Sequence, residues 1–172
     1  MRHFVILIFL SSFTLFCQNP KEEHHFKSHS LALSGSIERN DVFLSISYLH
    51  QQKFFTLNPS IGIGLVHTMA QSNPFLRVGC TGYYNWIKKP LENYKDFIFA
   101  VGAGASYASY RAPVRTHFCD FKLGYLLQYG GRIKLMHSSS FGGLSEVFSG
   151  NSRQVSLFYP NFSFSIGFSY EI

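Results

Sequence analysis

The last twelve residues of the chain alternate between large apolar and small or polar side chains without an exception. The apolar positions are Phe162, Phe164, Ile166, Phe168, Tyr170 and Ile172. They share one face of a predicted β-strand, because successive side chains of a strand point to opposite sides. The other face carries mainly serine and glycine, whereas a face turned to water would carry long charged side chains. Large apolar residues outside and small residues inside are typical of a strand in a membrane-embedded barrel.

Alternation of the same kind predicts seven further strands. They cover residues 30–38, 42–49, 56–65, 76–86, 97–108 and 119–129, and a seventh begins at 132–135. Residues 39–41 predict a tight hairpin turn, Gly130 and Gly131 a two-residue turn, and Pro59 a bulge or an irregular edge. The eighth strand is expected to run from 154 to 172 with a bulge at Pro160, after a Gly- and Ser-rich irregular segment at 141–153.

The predicted fold is therefore all-β, an antiparallel transmembrane up-and-down barrel of eight strands. Each strand of about ten residues is long enough to cross a bilayer when tilted. No helical period competes after the first 17 residues.

The start of the chain predicts export. A basic Met1–His3 segment precedes an uncharged apolar run at 4–16, which is too short for a spanning helix and suits a signal peptide over residues 1–17. Cleavage after Cys17 is expected. Acylation of Cys17 is the alternative, which the bulky residues just before it disfavour. Residues 18–28 predict a flexible leader and residues 29–172 the barrel.

Composition narrows the function classes. Aromatic residues make up 17% of the chain and charged residues 14%, which differs from a soluble domain and fits a protein surrounded by lipid. The net charge of +6 comes without a basic run, so we expect no nucleic-acid partner. His24 and His25 lack a third ligand of matching spacing, and we expect no metal and no cofactor.

Strand parity assigns a set of charged residues to the lumen. They are Glu38, Arg77, Asp120, Lys122, Arg132, Lys134 and Glu171. Because charges in a narrow interior must pair, we expect an ion-pair network that closes the lumen. Cys80 and Cys119 are predicted to face outward on non-neighbouring strands, which makes a disulfide between them geometrically unfavourable.

The signal peptide, the eight alternating segments and the aromatic strand at 162–172 resemble the small eight-stranded outer-membrane barrels of Gram-negative bacteria. The chain ends in Ile172, where such proteins often end in Phe. The resemblance implies assembly by the outer-membrane insertion machinery, contact with outer-membrane lipids, and both termini on the periplasmic side. We expect a non-enzymatic structural or surface-interaction role, with an extracellular partner binding at the predicted loop 141–152.

Two alternatives stay open. His137, Ser138 and Ser139 are similar to the His-x-Ser motif of outer-membrane lipid A deacylases, which implies an acyl-ester hydrolase with His137 and Ser139 facing lipid at the outer end of the seventh strand. Ser140 replaces the family's Asn, and Glu146 completes a triad only if its loop folds back. The second alternative is a soluble lipocalin-like barrel with an apolar ligand inside, which requires the apolar faces to point inward.

Overall fold

The computed structural model describes residues 28–71, 74–91, 95–111, 115–149 and 154–172. The predicted signal peptide, the cleavage or acylation site at Cys17, and His24 and His25 lie outside the described residues.

Eight antiparallel strands form one closed barrel in which each strand pairs with the next and the last pairs with the first. The strands are β1 (Ser28–Glu38), β2 (Val42–Gln51), β3 (Phe55–Gly64), β4 (Phe75–Leu91), β5 (Lys95–Arg111), β6 (Arg115–Gly130), β7 (Ile133–Ser149) and β8 (Gln154–Glu171). This confirms the predicted eight-stranded up-and-down barrel. β1 to β3 have 10 or 11 residues, but β4 to β8 have 16 to 18. β4 to β7 are longer than predicted, whereas β8 matches its predicted length to within one residue.

Side-chain parity follows the prediction around the barrel. On β1, Leu31 and Leu33 are exposed on the outer wall, whereas Ser30 and Ala32 are buried in the lumen. Leu31 lies directly between Tyr48 of β2 and Tyr170 of β8 in one row of the sheet. The apolar wall is therefore continuous across the closing seam.

A short helix, α1 (Leu65–Gln71), joins β3 to β4, so the prediction of no helix after the first 17 residues is wrong. About two turns of periodicity are too short to show in a sequence, and the start of the helix is capped from another part of the chain. The carboxylate of Asp41, in the β1–β2 turn, accepts hydrogen bonds from the backbone amides of Val66 at 2.8 Å and His67 at 3.0 Å. Among the described residues, no helix has both the length and the apolar character to cross a membrane.

The predicted loop at 141–153 is wrong over most of its length, because β7 continues to Ser149. Gly142 is packed so closely against β6 that an added Cβ would overlap the carbonyl oxygen of Phe121. The glycine at this position therefore reflects the close approach of two strands and not a turn. Residues 150–153 lie outside the described residues.

The predicted bulge at Pro160 is also wrong, since β8 keeps one register with β7 past Pro160, which lies opposite Gly143. β8 pairs with β1 only from Ser163 onward, opposite Glu38. Pro160 is therefore on a strand edge, where a missing N–H is tolerated. What the sequence shows at this proline is a change in which face is apolar.

The alternative of an irregular edge at Pro59 is confirmed, whereas the predicted β6–β7 turn needs correction. At Pro59 the β2–β3 ladder is interrupted while the register is kept, so the feature is an irregular edge and not a bulge. The β6–β7 turn lies one residue later than predicted, at Gly131 and Arg132, and Gly130 before it has φ of 144°, a value that favours glycine. A register shift that the sequence did not reveal lies in β4, between Asn85 and Ile87.

Candidate functional site

A four-charge cluster occupies the lumen. The carboxylate of Glu38 accepts hydrogen bonds from Arg77 and from Lys122, whose Nζ lies 2.7 Å from Oε2. Lys122 Nζ also lies 2.6 Å from Asp120, which accepts a hydrogen bond from Asn161 at 3.2 Å. The four charged side chains are between 5% and 13% exposed. Two cations therefore balance two anions away from water, as buried charges require.

A second charged layer lies toward the end of the barrel where β1 begins and β8 ends. Lys134, 1% exposed, places its Nζ 3.2 Å from Asp96 and 3.1 Å from Glu171. Next to it, Gln51 donates a hydrogen bond to Gln128 across the lumen. The predicted ion-pair network is thus confirmed in two layers.

Arg132 is the exception among the predicted lumen charges. It lies in the β6–β7 turn, is exposed, and holds its guanidinium 5.0 Å from the centre of the Tyr170 ring on the outer wall. Strand parity stops being informative where the strand ends, which is why the assignment failed.

A polar cavity of about 120 Å³ lies beside the four-charge cluster and is lined largely by serine and glycine. Tyr83 on its wall belongs to one apolar cluster, with Leu49, Ile98 and Met136 among its members. Arg77, also on the wall, packs its guanidinium 3.9 Å from the centre of the Phe43 ring, in a second apolar cluster. Packed side chains therefore bound the cavity on both sides, and its volume accommodates a few water molecules.

The structure separates Glu146 from the other two residues of the deacylase alternative. His137 and Ser139 face outward, and the His137 ring packs 4.8 Å from Phe164 and 5.4 Å from Tyr125. Glu146 has the opposite parity and lines a pocket at the far end of the barrel. Nine residues of strand separate it from His137 by about 30 Å. His137 is also near the start of β7 and not at its outer end.

A histidine pair lies on the outer wall, at the end of the barrel where β1 begins and β8 ends. The sequence analysis did not single it out. His29 of β1 lies directly opposite His50 of β2, and their Nδ1 atoms are 3.4 Å apart. The Tyr48 hydroxyl also contacts His29 Nδ1, and Gln52 Nε2 lies 3.0 Å from His50 Nε2. The predicted turn at 39–41 did not reveal it, because a three-residue turn places residue 29 opposite residue 51, whereas the observed register pairs Ile37 with Val42 and His29 with His50.

Cys80 and Cys119 face outward as predicted. β5 separates them, with Cys80 opposite Ala105 and Cys119 opposite Tyr107. Within the described ranges, no group of three or more His, Cys, Asp or Glu residues is arranged to hold a metal ion.

The architecture is similar to that of solved outer-membrane proteins. The N-terminal β-barrel domain of OprF from Pseudomonas aeruginosa superposes with a TM-score of 0.53 at 10% sequence identity, covering 84% of this chain and 97% of that one. A major outer membrane protein from Thermus thermophilus gives a TM-score of 0.50 at 8% identity, covering 85% and 99%. The chain has the fold of the small outer-membrane β-barrels.

For this outer-membrane barrel fold, such low identities establish the architecture alone. No protein-family model matches the sequence, and the comparison with curated proteins gives no match. The resemblance of His137 and Ser139 to the lipid A deacylase motif receives no support from these comparisons.

Proposed function

We propose that this chain is an integral outer-membrane protein with a closed lumen and a structural or surface-interaction role, and not an enzyme. The observation that carries the proposal is the apolar outer wall, on which β8 alone exposes Phe162, Phe164, Ile166, Phe168 and Tyr170. Monomeric soluble proteins rarely expose an apolar patch larger than a few hundred Å². A wall of this kind on every side of a barrel is stable in lipid.

Aromatic side chains at one rim support the same conclusion. Four aromatic residues are exposed on the outer wall near the end of the barrel where β1 begins and β8 ends. They are Tyr48, Trp86, Tyr129 and Tyr170. Tyrosine and tryptophan concentrate where hydrocarbon meets the headgroups, because their rings are apolar and their tips are polar. This rim marks one edge of the lipid-facing band.

The interior favours a closed barrel over a ligand carrier. A lipocalin-like protein needs apolar side chains around a central cavity, but here the larger part of the apolar surface is outside and the lumen holds two layers of ion pairs. The interior therefore supports the membrane barrel over the soluble alternative.

The deacylase alternative lacks an assembled site. A serine nucleophile requires a base within hydrogen-bond reach and a group that orients this base. Phe164 and Tyr125 surround the His137 ring, and Glu146 lies on the opposite face of β7. No observation favours ester hydrolysis over a non-enzymatic role.

Surface interaction is best assigned to the outer ends of β7 and β8, which replace the predicted loop at 141–152. The residues of β8 that precede Ser163 do not pair with β1, and three apolar residues among them, Val155, Leu157 and Phe158, are exposed. An exposed strand edge with apolar side chains suits the addition of another strand. An extracellular partner with an extended segment would bind here.

Cell fractionation tests the proposal. We expect the protein in the outer-membrane fraction, extractable only with detergent, with a gel mobility that changes on boiling. Recovery in the soluble periplasm without detergent would contradict the proposal. A control variant with Phe164→Ser and Phe168→Ser should be recovered at a lower level in the membrane fraction.

A further inference from the structure

The His29–His50 pair brings two imidazole nitrogens close together on the outer wall. A ring nitrogen has one in-plane position, used either to donate or to accept. His29 Nδ1 nevertheless faces both the Tyr48 hydroxyl and His50 Nδ1. Three polar groups from two strands thus converge on one point of the outer wall.

The distance between the two nitrogens matches tetrahedral metal coordination. Nitrogen ligands at about 2.0–2.1 Å from a tetrahedral zinc ion lie about 3.3–3.4 Å apart. Adjacent ligands of a square-planar ion lie about 2.8–2.9 Å apart. The observed separation is 3.4 Å. We propose that His29 and His50 form a binding site for Zn²⁺, with water at the remaining positions.

The surroundings fit this assignment. His29 and His50 are directly opposite on antiparallel strands, which fixes the two Cβ atoms about 4.5–5.5 Å apart. Gln52 lies 3.0 Å from His50 Nε2; with its amide oxygen turned toward the ring, it accepts a hydrogen bond from Nε2–H. That tautomer leaves the Nδ1 lone pair directed at the ion. Outer-shell partners commonly hold ligating histidines in this way.

Bound zinc would fasten β1 to β2. The backbone carbonyl of His29 accepts a hydrogen bond from the amide of Ile172 at 2.9 Å, so His29 lies between the second strand and the C-terminus. An ion shared with His50 joins β1 to β2 at this point. Zinc should therefore raise the unfolding temperature, because it binds the folded state alone.

Calorimetric titration of the full chain, folded in detergent micelles, with Zn²⁺ and with Mg²⁺ tests the site. We expect one Zn²⁺ per chain, no binding of Mg²⁺, and binding at least about tenfold weaker in His29→Asn and in His50→Asn. Replacing Zn²⁺ with Co²⁺ should give the strong visible absorption of a tetrahedral ion.

His117→Asn is the matched control, because His117 stacks on Tyr107 at 27°, the same interplanar angle as His29 on Tyr48. It should bind zinc like the parent chain, as should the His24→Asn/His25→Asn variant. The heat-dependent gel shift confirms that each variant is folded. The proposal is overturned if the parent chain does not bind Zn²⁺, if His50→Asn binds it equally well, or if only the His24/His25 variant loses it.

Discussion

The ammonium group of Lys122 lies 2.7 Å from the carboxylate of Glu38, a residue 84 positions earlier in the chain and on the other side of the barrel. The contact joins β6 to β1 across the lumen, so it requires the barrel to close. Glu38 also forms an ion pair with Arg77, so its carboxylate contacts both cations of the cluster.

Glu38→Gln should lower the free energy of unfolding by about 3–5 kcal/mol, because removing one partner leaves buried charges uncompensated. Denaturant titration in detergent, followed by the fluorescence of the single tryptophan, Trp86, measures the effect. Ser34→Ala, which also faces the lumen cavity from β1, should change stability little. Equal losses in both variants would show that the cluster contributes nothing specific.

Phe164→Arg should impair insertion, since a charge near the midplane of the lipid-facing wall costs about 2–4 kcal/mol. Its neighbour Ser165 faces the lumen cavity, so Ser165→Ala should assemble normally. The folded fraction in lipid vesicles, determined by gel mobility, separates the two cases. A similar loss in both would argue against lipid contact at Phe164.

Gly142→Ala should destabilise the barrel by about 1–3 kcal/mol, because the added methyl group forces β7 away from β6. Gly35→Ala is the matched control, since a Cβ at Gly35 meets no atom within 4 Å. Both can be compared by chemical denaturation. A tolerated Gly142→Ala would mean that the strands separate easily at this position.

Asp41→Ala should loosen α1 at a cost of about 1–2 kcal/mol, as expected for loss of a helix cap. The carboxylate accepts hydrogen bonds from two helix amides and lies 2.9 Å from His67 Nδ1. Limited proteolysis should then cut within residues 65–71 faster than in Asn40→Ala. Unchanged cleavage would show that the helix holds without Asp41.

Expression of the protein should leave the acylation of lipid A unchanged, because Glu146 cannot orient His137 from the opposite face of β7. Mass spectrometry of lipid A decides this, with His137→Asn and Ser139→Ala as controls. Loss of an acyl chain that depends on both residues would restore the hydrolase alternative.

The sequence predicted the barrel well where lipid and lumen impose opposite demands on the two faces of a strand. Glu38, Arg77 and Lys122 could be assigned to the lumen by parity alone. Their partners could not, because pairing across the lumen depends on the tilt and register of all eight strands.

Prediction failed where that contrast is absent. Gly143 and Ser145 on the outer half of β7 are small or polar even though they face outward, so this half resembled a loop. The α1 helix was missed because its cap, Asp41, lies 25 residues earlier. The His29–His50 pair could not be found from the predicted turn at 39–41, because that turn places residue 29 opposite residue 51, one position from its observed partner.

The unequal lengths of the strands give two parts of the barrel different resistance to local opening. β4 to β8 pair through long ladders, whereas β2 and β3 are short and their pairing is interrupted at Pro59. Backbone amides of β2 and β3 should therefore exchange with deuterium before those of the long strands. Local separation of β2 from β3 therefore requires less free energy than separation of the long strands, and it would connect the lumen with the surroundings of the barrel through the wall.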